Sequence, residues 1–323
     1  MSKNIFITRK IPDIGIKMLI NKGYSVDINP KDEVLSQKQI IKYLKKKNYD
    51  AVLSLLTDKI DSKVYDSAPS VKLYANYATG FDNLDLNEAK KRGIIITNAP
   101  GDLTSEAVAE HTIALMFALA ARIVEADEFV RQKKYKGWEP MNFIGEDILG
   151  KTLGLIGAGR IGERVAFYSK GLGLKIVYYD VNRNEKIEKE YGAIYCNTVD
   201  EILKQSDVIS LHVPLLDSTR HLINEERLKM MKPTSFLINT SRGPIVDEIA
   251  LEKALRIKVI SGAGLDVFEF EPKITKGLLK LQNIILTPHI ASASVEARNQ
   301  MAEVAAQNVI DFFENGKPKN QVN

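Results

Sequence analysis

Three segments of this 323-residue chain place reactive side chains directly after apolar runs. Ile238–Gly243, "INTSRG", sets Arg242 among small residues. Gly264–Pro272, "GLDVFEFEP", carries Asp266, Glu269 and Glu271. Ile284–Pro288, "IILTP", runs into His289 and then into the small residues "IASAS". Apolar runs of this length read as buried strands, and doubly wound sheets bind ligands beyond the carboxyl ends of their strands. A guanidinium at such a place holds a carboxylate through two parallel hydrogen bonds, a geometry that an ammonium lacks. A carboxylate beside an imidazole stabilises the imidazolium form and keeps a proton available near neutral pH. One of the three acids can serve His289 in this way, and spacing does not choose among them. Of the other histidines, His111 falls inside a long helical segment and reads as structural. His221 precedes a helix and reads as superficial.

A fourth segment, "GLIGAGRIG", contains Gly157-Ala158-Gly159-Arg160-Ile161-Gly162, a G-x-G-x-x-G between an apolar strand and a helix. Asp180 closes the next strand, 18 residues past Gly162. Glycines at this spacing permit a tight turn and let a pyrophosphate approach the backbone at the helix N-terminus. Asp180 suits the ribose hydroxyls, and its charge opposes a phosphate at the same place, so NAD is favoured over NADP. Arg183 and Lys186 lie close by in sequence. A nicotinamide moves hydride, so its substrate needs a clamp and a proton donor, roles open to Arg242 and His289. His212, which follows "VISL", either lines the nicotinamide side or packs.

These groups are far apart in sequence, and two α/β series must position them. In the first, strands at Asn4–Thr8, Tyr24–Ile28, Ala51–Leu56, Val71–Tyr77 and Ile94–Asn98 alternate with helical segments such as Ile14–Lys22 and Gln37–Lys47. That alternation implies a parallel, flavodoxin-like sheet. The second series has six strands, at Thr152–Gly157, Lys175–Asp180, Val208–Val213, Ser235–Thr240, Val259–Val267 and Ile284–Pro288. One long helix, Ser105–Gln132, is expected between the series; its middle, "IALMFALAA", is apolar nearly all round and so buried on several sides. A last helix, Ser294–Asn315, presents Met301, Ala305, Val309 and Phe312 on its apolar face. No strand follows it to extend the second sheet, so it is expected to return and cover the first. The fold class is therefore α/β, with two doubly wound parallel-sheet domains. Residues 1–101 with 290–323 form a discontinuous substrate domain, and residues 102–289 form an inserted Rossmann NAD-binding domain.

Composition narrows the function further. The chain is 45% hydrophobic and 27% charged, and its net charge of +4 is spread without a basic stripe, which argues against nucleic acid as partner. The single cysteine, Cys196, cannot form an intrachain disulfide, which fits a reducing cytoplasm. "MSKNIFITRK" reads as a strand and lacks the apolar region of a signal peptide. The longest apolar stretch, Ile113–Ala121, is too short to span a bilayer. No residue set suggests a metal site.

Taken together, "GLIGAGRIG", "INTSRGPIVDE", "GAGLDVFEFEP" and "LTPHIASAS" resemble the D-isomer-specific 2-hydroxyacid dehydrogenases in order and spacing. "NYATGFDNLDLNEAKKRGIIITNAPG" is similar to that family's substrate loop and hinge strand, and "KGWEPMNFIGEDILGKTLGLIG" to its glyoxylate and hydroxypyruvate reductase branch. The resemblance covers essentially the whole chain. It implies Arg242 as the substrate-orienting arginine, His289 as proton donor and Glu271 as its paired glutamate. It implies Asp266 near the nicotinamide carboxamide, and Thr79 and Gly80 as the loop that binds the substrate carboxylate. Gly157 to Gly162, Asp180, Val213, Pro214, Thr219 and Thr240 match cofactor contacts. Many relatives of this branch carry a small or basic residue in place of Asp180 and prefer NADP, so the acid here supports NADH. The family is typically dimeric, with the Thr104–Gln132 region at the interface. The implied reaction, in an interdomain cleft that closes on substrate, reduces a small 2-oxo acid, first glyoxylate or hydroxypyruvate, to the D-2-hydroxy acid. Competing expectations are a D-lactate or branched-chain 2-hydroxyacid dehydrogenase, or a non-catalytic NAD-sensing scaffold of the same fold.

Overall fold

The computed structural model describes residues 2–323. Among these residues the chain forms two compact units: residues up to Thr104 together with Ala293–Asn323, and Ser105–Ser292. The first series runs β1 (Asn4–Ile7), α1 (Asp13–Asn21), β2 (Ser25–Ile28), α2 (Gln37–Leu44), β3 (Ala51–Leu55), α3 (Ser62–Ser67), β4 (Leu73–Tyr77), α4 (Leu86–Lys91) and β5 (Ile95–Thr97). Helices α5 (Asp102–Ala120) and α6 (Ile123–Arg131) follow. Then come β6 (Thr152–Ile156), α7 (Arg160–Gly171), β7 (Lys175–Tyr179), α8 (Glu185–Tyr191), β8 (Ile194–Tyr195), α9 (Val199–Gln205) and β9 (Val208–Leu211). The chain ends with α10 (Glu225–Met230), β10 (Phe236–Asn239), α11 (Glu248–Arg256), β11 (Gly262–Leu265), β12 (Ile284–Leu286) and α12 (Val295–Asn315).

In the first unit the strands pair in the order β2-β1-β3-β4-β5, all parallel. Strand side chains alternate between faces. Ile5, Ile7, Leu53 and Leu73 accordingly join Met301, Ala305 and Val309 of α12 in one core, while Phe6, Val52 and Tyr74 face Ile40 and Val64 in another. Gly15 lets α1 lie against α12, because a Cβ there would stand 2.6 Å from the Ala302 carbonyl oxygen. Ser294 caps α12 by accepting from the Ala297 N–H, and Gly316, in the left-handed region at φ 68°, ends it. Helix α12 thus packs on the first sheet, and its Met301, Ala305 and Val309 share a core with β1, β3 and β4.

The second unit orders its strands β12-β11-β10-β9-β6-β7-β8, again all parallel. The order reverses between β6 and β9, and such a switch point opens a crevice at the carboxyl ends of the strands. Seven strands stand where six were expected. The extra one, β8, is two residues long, pairs only Ile194 and Tyr195 with β7, and leaves Ile194 65% exposed. An edge pair that short has no period to read.

The single long helix expected over Ser105–Gln132 is instead α5 and α6, bent by 64°. Arg122 sits at the break with φ 54°. The Ala120 carbonyl, which would continue the helix, accepts from the Glu146 N–H at 2.9 Å. Gly145 makes this approach possible, since a Cβ there would lie 2.1 Å from the same oxygen. The terminator is thus a loop some twenty-five residues downstream, and neither Gly nor Pro marks the break locally. No single helix among the described residues is long and apolar enough to cross a membrane.

Candidate active site

After β6 the backbone turns through Gly157 at φ 99°, a left-handed value that favours glycine. A Cβ at Gly157 would lie 2.6 Å from the His212 carbonyl carbon, and one at Gly162 would lie 2.2 Å from the Gly157 oxygen. Gly159 precedes α7 and offers no side-chain cap to the first-turn N–H groups of that helix. A glycine turn packed this tightly, open at Gly159 and next to a helix N-terminus without a side-chain cap, fits a pyrophosphate. The Asp180 carboxylate closes over this turn, accepting from the Ala158 N–H at 2.7 Å and the Asn182 N–H at 3.1 Å. Both nearby cations are engaged. Arg183 grips Glu188 through two bonds of 2.7 and 2.9 Å, and with Tyr178 it holds that carboxyl down at about 2. Lys186 lies 2.6 Å from Glu163, which raises its pKa.

Other residues of the cofactor set also sit past strand ends. Val213 and Pro214 follow β9. Thr219 donates its hydroxyl to the Pro214 carbonyl at 2.6 Å and accepts from the Leu216 N–H, closing its own turn. Thr240, beyond β10, shares a 2.9 Å hydrogen bond with Thr112 of α5. His212, beside the turn, carries a buried side-chain atom that lacks a partner. Its Nε2 meets Ser210 Oγ at 2.8 Å, its Nδ1 is buried and unsatisfied, and burial pushes its pKa down to about 3. His212 is therefore a neutral, buried imidazole that packs behind the glycine turn.

The groups expected to act as acid and base lie farther along the same edge. His289 follows β12 at φ 54°, its N–H donating to the carbonyls of Asp266 and Thr287. Asp266 holds this turn from within. Fully buried, its carboxylate accepts from Thr287 Oγ1 at 2.6 Å and from the N–H groups of Ile290 and Ala291, each at 2.8 Å. His111 of α5 supports it through a 3.1 Å contact with Thr287 Oγ1. His289 Nδ1 meets Glu271 Oε2 at 3.0 Å, and the Phe268 N–H donates to the other oxygen of Glu271 at 2.9 Å. Burial alone raises the Glu271 pKa, but the His289 hydrogen bond and charge, the Phe268 N–H and the Arg242 charge outweigh it and leave the pKa lowered. His289 Nε2 has no hydrogen-bond partner among the described residues. Arg242 lies past β10, its carbonyl fixed by Asn239 Nδ2 at 2.9 Å. The next residue, Gly243, packs straight onto the Phe268–Glu269 peptide, where a Cβ would be 1.9 Å from the Phe268 carbonyl. The segments bearing Arg242 and Glu271 are thus in direct contact.

In the first unit, the loop after β4 carries Thr79 and Gly80. Ala99 N–H donates to the Ala78 carbonyl at 2.8 Å, Asn98 Nδ2 to that of Thr79 at 2.7 Å, and the buried Asn76 Nδ2 to that of Gly80 at 3.0 Å. A trans peptide carries its N–H on the edge opposite its carbonyl. Three successive peptides therefore have their carbonyls secured by protein donors. The amides of Asn76 and Asn98 were not singled out in the sequence, although their side-chain type is the available signal.

The choice that spacing left open among three acids is resolved by contact. Glu271 pairs with His289, Asp266 is absorbed by the His289 turn, and Glu269 pairs with a different histidine, His221, at 2.7 Å. His221 is not merely superficial: its side chain is 39% exposed, but it holds a glutamate that is 5% exposed. No cluster of potential metal ligands occurs among the described residues.

Residues 113–291 match the family model for the D-isomer specific 2-hydroxyacid dehydrogenase NAD binding domain. Over its whole length the chain is 48% identical to a glyoxylate reductase of Thermococcus litoralis, covering 97% of that protein. Among solved structures, an NADPH-dependent glyoxylate/hydroxypyruvate reductase from Sinorhizobium meliloti, in complex with NADP and malonate, superposes with a TM-score of 0.85 at 30% identity, over 100% of this chain and 97% of that one. A D-lactate dehydrogenase from Aquifex aeolicus, complexed with NAD and lactic acid, gives a TM-score of 0.84 at 34% identity, over 99% of each chain.

Proposed function

Because this chain belongs to the D-isomer-specific 2-hydroxyacid dehydrogenase family, in its glyoxylate reductase branch, we propose that it reduces glyoxylate to glycolate or hydroxypyruvate to D-glycerate with NADH, His289 giving the proton. It is an oxidoreductase acting on CH–OH groups with an NAD(P)-binding domain. The observation that carries the finer reading is the His289–Glu271 pair: Nδ1 is held by a carboxylate, and Nε2 is left for substrate. Nicotinamide, when bound, supplies the hydride. The protein's part is to orient and protonate. Arg242 grips the substrate carboxylate and carbonyl side, Glu271 stabilises the charged imidazole, and His289 Nε2 donates to the carbonyl oxygen as it gains charge. From the family resemblance, Thr79 and Gly80 are further contacts of the substrate carboxylate, and residues 2–104 with 293–323 are the substrate domain.

NADH is favoured because Asp180 lies against the glycine turn while Arg183 and Lys186, the nearby cations suited to a 2′-phosphate, are held by Glu188 and Glu163. A cytoplasmic setting fits the single buried cysteine.

The test is NADH and NADPH oxidation with glyoxylate, hydroxypyruvate, pyruvate and 2-oxoisocaproate, followed by chiral analysis of the products of the last three. Fastest turnover of glyoxylate and hydroxypyruvate with NADH, and a shift toward NADPH in Asp180→Ser, is the expected pattern. Preference for pyruvate or 2-oxoisocaproate would reassign the enzyme to the D-lactate or branched-chain class. Inactivity across the panel would leave a cofactor-binding scaffold.

A further inference from the structure

Two histidines of the second unit share an unusual setting. His221 and His289 both have positive φ, 48° and 54°, and each binds a glutamate of the same short loop, Glu269 and Glu271. A non-glycine residue in the left-handed region is uncommon and persists where the surroundings hold it. The His289 pair has a chemical role in the reading above, and the His221 pair has none.

The contacts of His221 join the two loops that carry Arg242 and Glu271. Its backbone N–H donates to the Pro244 carbonyl at 2.8 Å, two residues beyond Arg242. Its ring reaches Glu269, two residues before Glu271. Glu269 is in turn bound reciprocally to Glu248 at the start of α11. The Glu269 N–H donates to Glu248 Oε1 at 2.6 Å, and the Glu248 N–H approaches Glu269 Oε2 at 3.4 Å. Glu248 is 1% exposed, and its other oxygen accepts from the Thr275 N–H at 3.1 Å. Two nearly buried carboxylates thus lie against each other's peptides, and His221 is the neighbouring group able to donate to them from a side chain. Without that donor, Glu269 would keep a desolvated oxygen unpaired, which is unfavourable enough to move the loop.

We propose that His221 is a positioning residue for the reaction: by holding Glu269 it fixes the loop that presents Glu271, and so sets where His289 aims its proton. The inference rests on the proposed role of His289. Displacing a proton donor by about an ångström lowers turnover without altering cofactor binding. His221→Ala is therefore expected to lower kcat roughly tenfold to a hundredfold, with smaller change in KM and none in NADH affinity. His221→Gln, whose amide nitrogen can take the place of Nε2, restores most of the loss. In a His289→Gln background, His221→Ala costs little more, because both act through one proton transfer. Hydrogen exchange in 268–271 rises in His221→Ala, a readout independent of turnover. Unchanged exchange there, or the same fold loss with and without His289, would overturn the proposal even with a fully active wild type. A wild type inactive on every 2-oxo acid would instead end the functional reading on which it stands.

Discussion

At His289 the decisive feature is which ring nitrogen is spoken for. Glu271 occupies Nδ1, so in the proposed role the proton leaves from Nε2. Replacing His289 by Gln is expected to preserve NADH binding, followed by fluorescence titration, while kcat falls by roughly 10²–10⁴. Turnover near the wild-type rate would remove His289 from the chemistry. Sequence reasoning reached His289, Arg242 and the glycine turn because each stands next to an apolar strand that announces itself. It could not rank Asp266, Glu269 and Glu271, since the ranking depends on which carboxylate the chain folds inward. Asp266 is covered by four groups of the 287–291 turn, and a sequence gives no sign of that cover.

Elements explain both the legible and the illegible parts of the fold. Strands buried on two faces betray themselves as runs of Ile, Val and Leu, which is why the two parallel sheets were readable. The α5–α6 break was not, because the group that ends α5 comes from Gly145 and Glu146. His212 shows a further element-scale effect. It sits just past β9 with a pKa near 3, so the unfolded chain binds a proton there that the folded chain refuses. Its stabilising contribution is present above the ordinary histidine value near 6.5 and is lost as pH falls from there toward 3. Glu271 acts in the same direction at lower pH, since its lowered pKa stabilises the fold above the ordinary carboxyl range and is lost on acidification through the folded value. Urea melts between about pH 7.5 and 4.5 should show a slope of up to about 1.4 kcal/mol per pH unit from His212, flattened in His212→Asn. An identical slope in the variant would mean that other groups carry the acid sensitivity.

For the molecule as a whole, we propose that it works as a homodimer. Trp138 is 83%, Met141 77% and Leu149 76% exposed in the segment after α6, with Ile123 and Val130 of α6 also more than half exposed. So much apolar surface on one stretch of chain calls for a partner, and a second copy is the occupant that the family resemblance favours. Sedimentation should give a dimer that dissociates in Trp138→Glu/Met141→Glu, and a monomeric wild type would end the idea.

The return of α12 to the first sheet has a consequence for birth rather than function. A ribosome that has finished β5 has made every strand of that sheet, yet one face has only α1 to shelter it. The Rossmann unit, whose 188 residues are contiguous, can complete itself before its older neighbour does. The oldest part of the polypeptide is therefore the last to close, and its Ile, Leu and Val face waits for residues emitted almost three hundred positions later.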